Sequence, residues 1–440
     1  MAVTAALLDE LRWRGMFHDA TPGLEARLEA NPAISGYVGF DPSAPSFHIG
    51  TLVPIFGLIH LQRHGGRPVA VLGGGTGMIG DPSGRTSERQ LLDDATLEAN
   101  AVALREQLGR FLDFTPGTGG AVMVNNIDWL GRLSLIEFLR DVGKHFTIPY
   151  MLAKDSVQAR LERGLSYTEF SYMLLQAADF EHLHRTMGVE LQMGGADQWG
   201  NITAGLELIR RRGGDDELAR AGGPAREAFA LAYPLLLTPS GAKFGKSEAG
   251  ESIWLDANRT SPFAFYQHWL HAEDRDVDVY LRWFTLFTRE EIGDLGRQGA
   301  ARPEARVPQR ALALDITARV HGPEAASLAV KASEAAFSAA PIEDPAILES
   351  LHRSLDGFEF SDADLTDGAV RFAIASGTFA SSSEARRTMQ QGGFSINGQR
   401  MTDPAAPIPA PIDGKWLVVR VGKRRVRIGR RRRPQGELST

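Results

Sequence analysis

Apolar and polar positions alternate along this chain in two periods. A short apolar run at 34–40 predicts a strand. Pro42 and Pro45 then forbid helix, so the chain must turn tightly before 52–61 (LVPIFGLIHL), which predicts a buried helix despite Pro54 and Gly57. The pattern repeats: a strand within 66–75, an amphipathic helix at 91–114, a strand at 121–125 and a helix at 134–146. Ser134 and Glu137 form a capping box at the start of that helix. Helices are predicted at 155–163 and 167–180, a strand at 189–194, a helix at 202–212 and a last strand at 231–238. Strands alternating with helices predict an α/β fold with a doubly wound parallel, Rossmann-like sheet. From Ser261 to about Phe337 the spacing is helical, with Trp269, Trp283 and Phe284 offered to a core. Residues 339–358 read as a linker region. In the final module, 371–428, Ser383 is expected to cap a short helix bearing Arg386 and Arg387, and Asn397-Gly398 marks a hairpin. The expected division is 1–240, 241–340, a linker at 341–368, an α+β module at 369–432 and a tail at 433–440.

Composition narrows the chemistry. The 440 residues contain no cysteine, which excludes disulfides, thiolate metal sites and a cysteine nucleophile. The first residues carry Asp9 and Glu10 within their apolar run, unlike a secretory signal, and no run has the length of a membrane helix. A cytoplasmic location is therefore expected. The net charge of −6 hides an asymmetry. Ten cations from Lys415 to Arg433 face no acid in that stretch, so the remainder of the chain carries −16. An acidic body with a basic end points to a polyanion at that end. For residues 430–440 the favoured reading is a solvated tail.

Several residues are candidates for chemistry. His48 falls at a helix start, where free N–H groups favour phosphate, and Gly50 lets a flat ring approach the backbone. As a lone residue it reads first as a surface histidine near a cap. Gly75, Gly77 and Gly80 satisfy G-x-G-x-x-G after a strand, but Asp81-Pro82-Ser83-Gly84 turns at once and delays a helix until about Glu88. The dinucleotide reading is weak for that reason. Asp81 is instead placed to offer a carboxylate to a cation. Gly245-Lys246-Ser247 suggests a P-loop, but position 240 is Ser240 where that motif needs glycine. Tyr172, Gln176 and Asp179 lie at i, i+4 and i+7 and share one helix face. Asp197 stands near a helix N-terminus, where it also reads as a cap.

Taken together, Gly39 to Thr51 and Lys243-Phe244-Gly245-Lys246-Ser247 resemble the paired nucleotide-binding signatures of class I aminoacyl-tRNA synthetases. Gly80 to Gly84, Phe170 to Gln176 and Gly194 to Glu207 narrow the resemblance to the bacterial tyrosyl-tRNA synthetases, over about Leu8 to Lys423. The last module resembles the small α-L RNA-binding module of ribosomal and pseudouridine-synthase proteins. The resemblance implies activation of L-tyrosine by ATP, with Mg²⁺ carried on the phosphates and no protein metal site, and then transfer to tRNA(Tyr). It implies that Tyr37 and Asp179 hydrogen-bond the tyrosine phenol, that Asp81, Tyr172 and Gln176 hold its ammonium, and that Gln192 supports the pocket. For ATP it implies Gly39, Asp41, His48, Gly50, Asp197, Gln198 and Lys246. For catalysis it implies His48, Thr51, Arg85, Arg89, Lys243 and Lys246. RNA contacts would come from Arg386, Arg387, Lys423, Arg424 and Arg425, and a homodimer would form through 133–167. Thr51 departs from the usual His or Asn of the first signature, and Arg85 from a common lysine. Two rivals remain: an RNA-binding or regulatory protein that reuses the fold, and a tryptophan-specific relative.

Overall fold

The alternation of strands and helices closes into one twisted sheet. The structure, a computed structural model, describes residues 6–83, 92–154, 157–158, 161, 164–212, 227–236, 252–338, 340–422 and 425–432. Among these, the first sheet contains β1 (Asp19–Ala20), β2 (Ser35–Phe40), β3 (Arg67–Leu72), β4 (Val122–Asn125), β5 (Leu191–Gly195) and β6 (Phe229–Tyr233), in the order β1-β6-β5-β2-β3-β4. The strands β2 to β6 run parallel, and β1 pairs antiparallel with β6. All five residues of β6 are buried, as expected for a parallel strand covered on both faces. The chain builds outward from β2 through β3 to β4, then returns to lay β5 and β6 on the other side. The order therefore reverses between β2 and β5, where a crevice opens at the carboxyl ends. Tyr37 and Gln192 lie side by side in register across that boundary.

Local choices explain the helices. Leu52–Arg63 is helical despite Pro54, which sits in the first turn where its missing N–H is not needed. Gly57 is required, because a Cβ there would lie 1.9 Å from the Tyr233 hydroxyl. Ser134 and Glu137 form the expected capping box on Leu135–Asp141, and Tyr167–Met187 runs on to a left-handed Gly188. The expected delay in helix formation after β3 is overturned in part: Gly74–Gly77 makes a single helical turn inside the glycine run. The helix read at 91–114 is Asp94–Leu108, started by the Asp93 side chain.

The chain forms two units, Met1–Leu255 with Arg275–Gly296, and Asp256–Asp274 with Arg297–Thr440. Trp283 and Phe284, read together with Trp269 as one core, belong to the first unit, where Phe284 meets Phe56 at 6.0 Å. Trp269 is buried in the second. In that unit the helices Pro262–Leu270, Val307–His321 and Pro323–Phe337 stand beside a second sheet. It contains β7 (Phe358–Phe360), β8 (Phe394–Ile396), β9 (Gln399–Arg400), β10 (Trp416–Val421) and β11 (Arg425–Arg431), in the order β7-β11-β10-β8-β9. Period-two alternation gives this sheet two apolar faces. Leu417 and Val419 pack with Phe360, Phe372 and Phe394, whereas Trp416, Val418, Val426 and Ile428 pack with Phe263, Ala336, Leu348 and Leu351.

The stretch expected as a linker, 341–368, holds the helix Pro345–Ser354 and the strand β7, which pairs with β11. Asp344 caps that helix with Pro345 at its first turn, and Leu348 and Leu351 are fully buried. Ser381, not Ser383, caps Ser382–Gln390, because its hydroxyl accepts from the Glu384 N–H at 3.3 Å. The Asn397-Gly398 hairpin forms as expected, with φ of 49° and 78°.

Candidate active site

Two polar networks lie at the carboxyl ends of the central strands. The first is built around Tyr37 and Asp179. The Tyr37 ring packs on Phe180 at 5.4 Å, and its hydroxyl is buried with no hydrogen-bond partner among the described residues. Asp179 is buried on the Tyr167–Met187 helix and accepts from Asn126 Nδ2 at 2.8 Å and Trp129 Nε1 at 2.7 Å. The Trp129 indole is held by stacking on His182, with centroids 4.6 Å apart.

The orientation of Asn126 is fixed by the backbone. Its Oδ1 accepts from the Gly75 N–H at 2.7 Å, so Nδ2 is the group that donates to Asp179 and, at 2.9 Å, to Thr76 Oγ1. Thr76 in turn donates to Asp41 Oδ1 at 2.7 Å, and the Tyr172 hydroxyl donates to Asp41 Oδ2 at 2.9 Å. A continuous chain of hydrogen bonds therefore joins Asp179 to Asp41. Burial pushes the Asp179 carboxyl up to about 7, against the pull of its two donors and with a further push from Asp41. Burial, reinforced by Asp179, likewise holds the Tyr37 phenol well above its ordinary value.

The second network is centred on Asp81, which is buried just past the glycine run. Gln198 Nε2 donates to its Oδ2 at 2.6 Å, Asn201 Nδ2 lies 3.4 Å from Oδ1, and the Ser83 N–H donates at 2.9 Å. Asn201 also reaches Gln176 Oε1 at 3.1 Å. The face predicted for Tyr172, Gln176 and Asp179 thus exists, and each residue meets a different partner. Gln192 is buried on β5, and its Oε1 has no partner among the described residues. A Cβ built on Gly39 meets nothing within 4 Å, so β2 presents open backbone there. Asp197 lies in the single turn Ala196–Gln198 that precedes the Trp199–Arg212 helix.

His48 is exposed, and its Nδ1 accepts from the Gly50 N–H at 3.0 Å, which assigns the proton of a neutral ring to Nε2. Gly50 and Thr51 follow in the turn Ile49–Thr51, whose Thr51 N–H donates to the His48 carbonyl at 2.9 Å. Arg85, Arg89, Lys243, Lys246, Lys423 and Arg424 lie outside the described residues. No group of three or more histidines and carboxylates that could hold a metal ion occurs among the described residues.

At the basic end, Arg386 and Arg387 are exposed on their helix. Arg425 donates to the Thr378 carbonyl at 3.0 Å. Much of the cationic run is otherwise engaged. Lys415 and Arg430 pair with Glu349, Arg431 with Asp362 and Arg427 with Asp356, while Arg420 donates to the carbonyls of Ala335 and Ala336 at the end of Pro323–Phe337. Sequence reasoning did not single out Asn126, Trp129, Thr76 and Asn201. The position of Asn125-Asn126 directly after an apolar strand was the available clue, since ligands gather at strand ends.

Comparison with known proteins shows what the chain as a whole is similar to. The family described as tRNA synthetases class I (W and Y) matches residues 29–338. The chain is 46% identical over 433 residues to a tyrosine–tRNA ligase of Roseiflexus castenholzii, covering 95% of this chain and 97% of that one. It is 47% identical over 427 residues to one from Anaeromyxobacter dehalogenans, covering 95% and 97%. Among solved structures it resembles a C-terminally truncated mitochondrial tyrosyl-tRNA synthetase of Aspergillus nidulans. That likeness has a TM-score of 0.66 and 28% identity, over 74% of this chain and 93% of that one.

Proposed function

We infer how this site works from one premise: the chain belongs to the class I aminoacyl-tRNA synthetases and, among them, to the bacterial tyrosine–tRNA ligases. It activates L-tyrosine with ATP to give tyrosyl-adenylate and pyrophosphate, then transfers the tyrosyl group to the 3′ end of tRNA(Tyr), the reaction of EC 6.1.1.1. The observation that carries our reading of the site is the Tyr37 hydroxyl, buried next to Asp179 and with no hydrogen-bond partner among the described residues.

A phenol answers both groups at once. Its O–H donates to Asp179 while its oxygen accepts from Tyr37. An indole N–H could satisfy Asp179 but offers Tyr37 no acceptor, which disfavours the tryptophan-specific reading. We assign the tyrosine ammonium to Asp81, Tyr172 and Gln176, and support of the pocket to Gln192. This leaves the tyrosine carboxylate to meet ATP near Gly39, Asp41, Gly50, Asp197 and Gln198.

The carboxylate oxygen attacks the α-phosphorus, and pyrophosphate departs with the electrons of the broken P–O bond. A ribose hydroxyl of the tRNA end then attacks the acyl carbon, and AMP leaves. No enzyme nucleophile is required. Catalysis rests on positioning and on donors aimed at the charge that develops on the phosphates. His48 supplies its Nε2–H, and Thr51, Arg85, Arg89, Lys243 and Lys246 complete the set. Mg²⁺ would arrive on the ATP phosphates and neutralise their charge.

The same reading covers the partners. Arg386, Arg387, Lys423, Arg424 and Arg425 contact tRNA phosphates, and the enzyme works in the cytoplasm. Leu135, Ile136, Ile148 and Tyr167 are between 58% and 74% exposed, which favours a homodimer through the 133–167 region. Among the described residues no helix is long and apolar enough to cross a membrane. The specificity assignment is tested with Asp179→Ala, assayed for activation of tyrosine and of phenylalanine. Tyrosine activation should fall much further, and equal losses would remove Asp179 from hydroxyl recognition.

A further inference from the structure

We propose that Trp254 is a positioning residue for His48, and that it holds the imidazole donor in place for adenylate formation. The inference rests on the assignment of His48 to the ATP phosphates made above.

The segment containing Trp254 is laid against the one containing His48. His48 and Trp254 form an isolated antiparallel bridge. It is closed on either side by the Ile49 N–H donating to the Ile253 carbonyl at 2.9 Å and the Leu255 N–H donating to the Phe47 carbonyl at 2.8 Å. The neighbours of this short ladder are anchored, since Phe47, Ile49 and Leu255 are all buried. The backbone of His48 is therefore fixed from both sides.

The side chain is constrained in the same place. The indole of Trp254 stands edge-on to the imidazole, with centroids 6.4 Å apart and planes at 70°, within the range favoured by aromatic pairs. The Gly50 N–H holds Nδ1 of the same ring. An exposed histidine would otherwise sample several rotamers. Here a backbone donor sets its tautomer and an aromatic wall limits its swing, so Nε2–H points one way before ATP arrives. Preorganised donors of this kind stabilise developing charge without reorganising during the reaction. The Tyr37–Asp179 and Asp81 networks are built from other residues, so a change at Trp254 should affect phosphate chemistry and leave tyrosine binding alone.

A double-mutant cycle with the full chain tests this, using Trp254→Ala, Trp254→Phe, His48→Ala and the His48→Ala/Trp254→Ala pair. Each is assayed by tyrosine-dependent ATP–pyrophosphate exchange and by equilibrium tyrosine binding. Trp254→Ala should lower kcat of exchange by about tenfold, the scale of a modest misplacement of a catalytic group, with tyrosine affinity unchanged. Trp254→Phe should restore most of that loss, because it keeps an aromatic edge. On the His48→Ala background, Trp254→Ala should cost almost nothing more. An equal loss on both backgrounds would show that Trp254 acts independently of His48 and overturn the proposal. So would a Trp254→Ala variant that exchanges normally, or one that loses tyrosine binding in step with exchange. A His48→Ala variant with undiminished exchange would instead remove the His48 assignment itself, and that result is distinct from the others.

Discussion

Tyrosine affinity should depend on pH through Asp179, and the structure sets the size of the effect. Burial and the nearby Asp41 carboxylate raise the free carboxyl to about 7, while Asn126 and Trp129 offer it two donors. A bound phenol adds a third donor and so favours the ionised form, which lowers that value when tyrosine binds. Binding then releases a proton below neutrality. At pH 6 only about one Asp179 in ten is ionised in the free protein, so affinity should be about tenfold weaker than its plateau. Above about pH 8 it should no longer change. The assay is equilibrium tyrosine binding without ATP, which removes His48 and the phosphates from the titration. Asp179→Asn should bind tyrosine more weakly and show no such slope between pH 6 and 8. A flat wild-type profile, or the same slope in Asp179→Asn, would refute the reasoning. The raised value has a matching effect on folding. Asp179 lends stability that is fully present below its ordinary value of 3.8 and is lost as pH rises through about 7.

Other perturbations follow from the same geometry. Asn126→Ala removes a donor from Asp179 and leaves the buried Gly75 N–H without its acceptor. Tyrosine affinity should fall by about tenfold to a hundredfold, from about 1.5–3 kcal/mol for a hydrogen bond to a charged group, read by titration. Gly57→Ala would drive a methyl group into Tyr233; it should cost about 1–3 kcal/mol of stability, seen as a lower thermal transition. Arg386→Ala with Arg387→Ala should leave pyrophosphate exchange intact and weaken tRNA binding. The slope of log affinity against log salt should shrink by about 0.7–0.9 for each phosphate that is no longer neutralised.

The parallel sheet is legible because its inner strands are almost wholly buried and its helices begin with recognisable caps, as at Ser134. The face shared by Tyr172, Gln176 and Asp179 followed from helical spacing alone. Their partners did not. Asn126 and Trp129 come from a different strand–helix connection, and only the packed sheet brings them to Asp179. The stretch 341–368 reads as loop by composition, because its prolines, glycines and acids favour turns. Yet Asp344-Pro345 is a helix start, and the Phe358 and Phe360 alternation marks a half-buried strand. Three consecutive serines offer a cap for the last short helix, and Ser381 alone stands three residues before Glu384. By charge alone the run from Lys415 to Arg433 reads as a polyanion surface that ends in a solvated tail at 430–440. The structure gives much of that run internal partners: Arg420 and Arg427 donate to carbonyls of the second unit and Arg430 and Arg431 pair with acids, whereas Arg386 and Arg387, outside the run, face solvent. Charge can be counted in a sequence, but the partner of each charge depends on the fold.

The most direct test of the account is ATP–pyrophosphate exchange by the purified full chain, with tyrosine, phenylalanine or tryptophan supplied in turn. The Tyr37–Asp179 pair predicts rapid exchange with tyrosine. It predicts far weaker exchange with phenylalanine, which leaves the buried Tyr37 hydroxyl unpaired and gives Asp179 no third donor, and with tryptophan, which gives Tyr37 no acceptor. Exchange driven equally well by tryptophan, or by no amino acid at all, would contradict it.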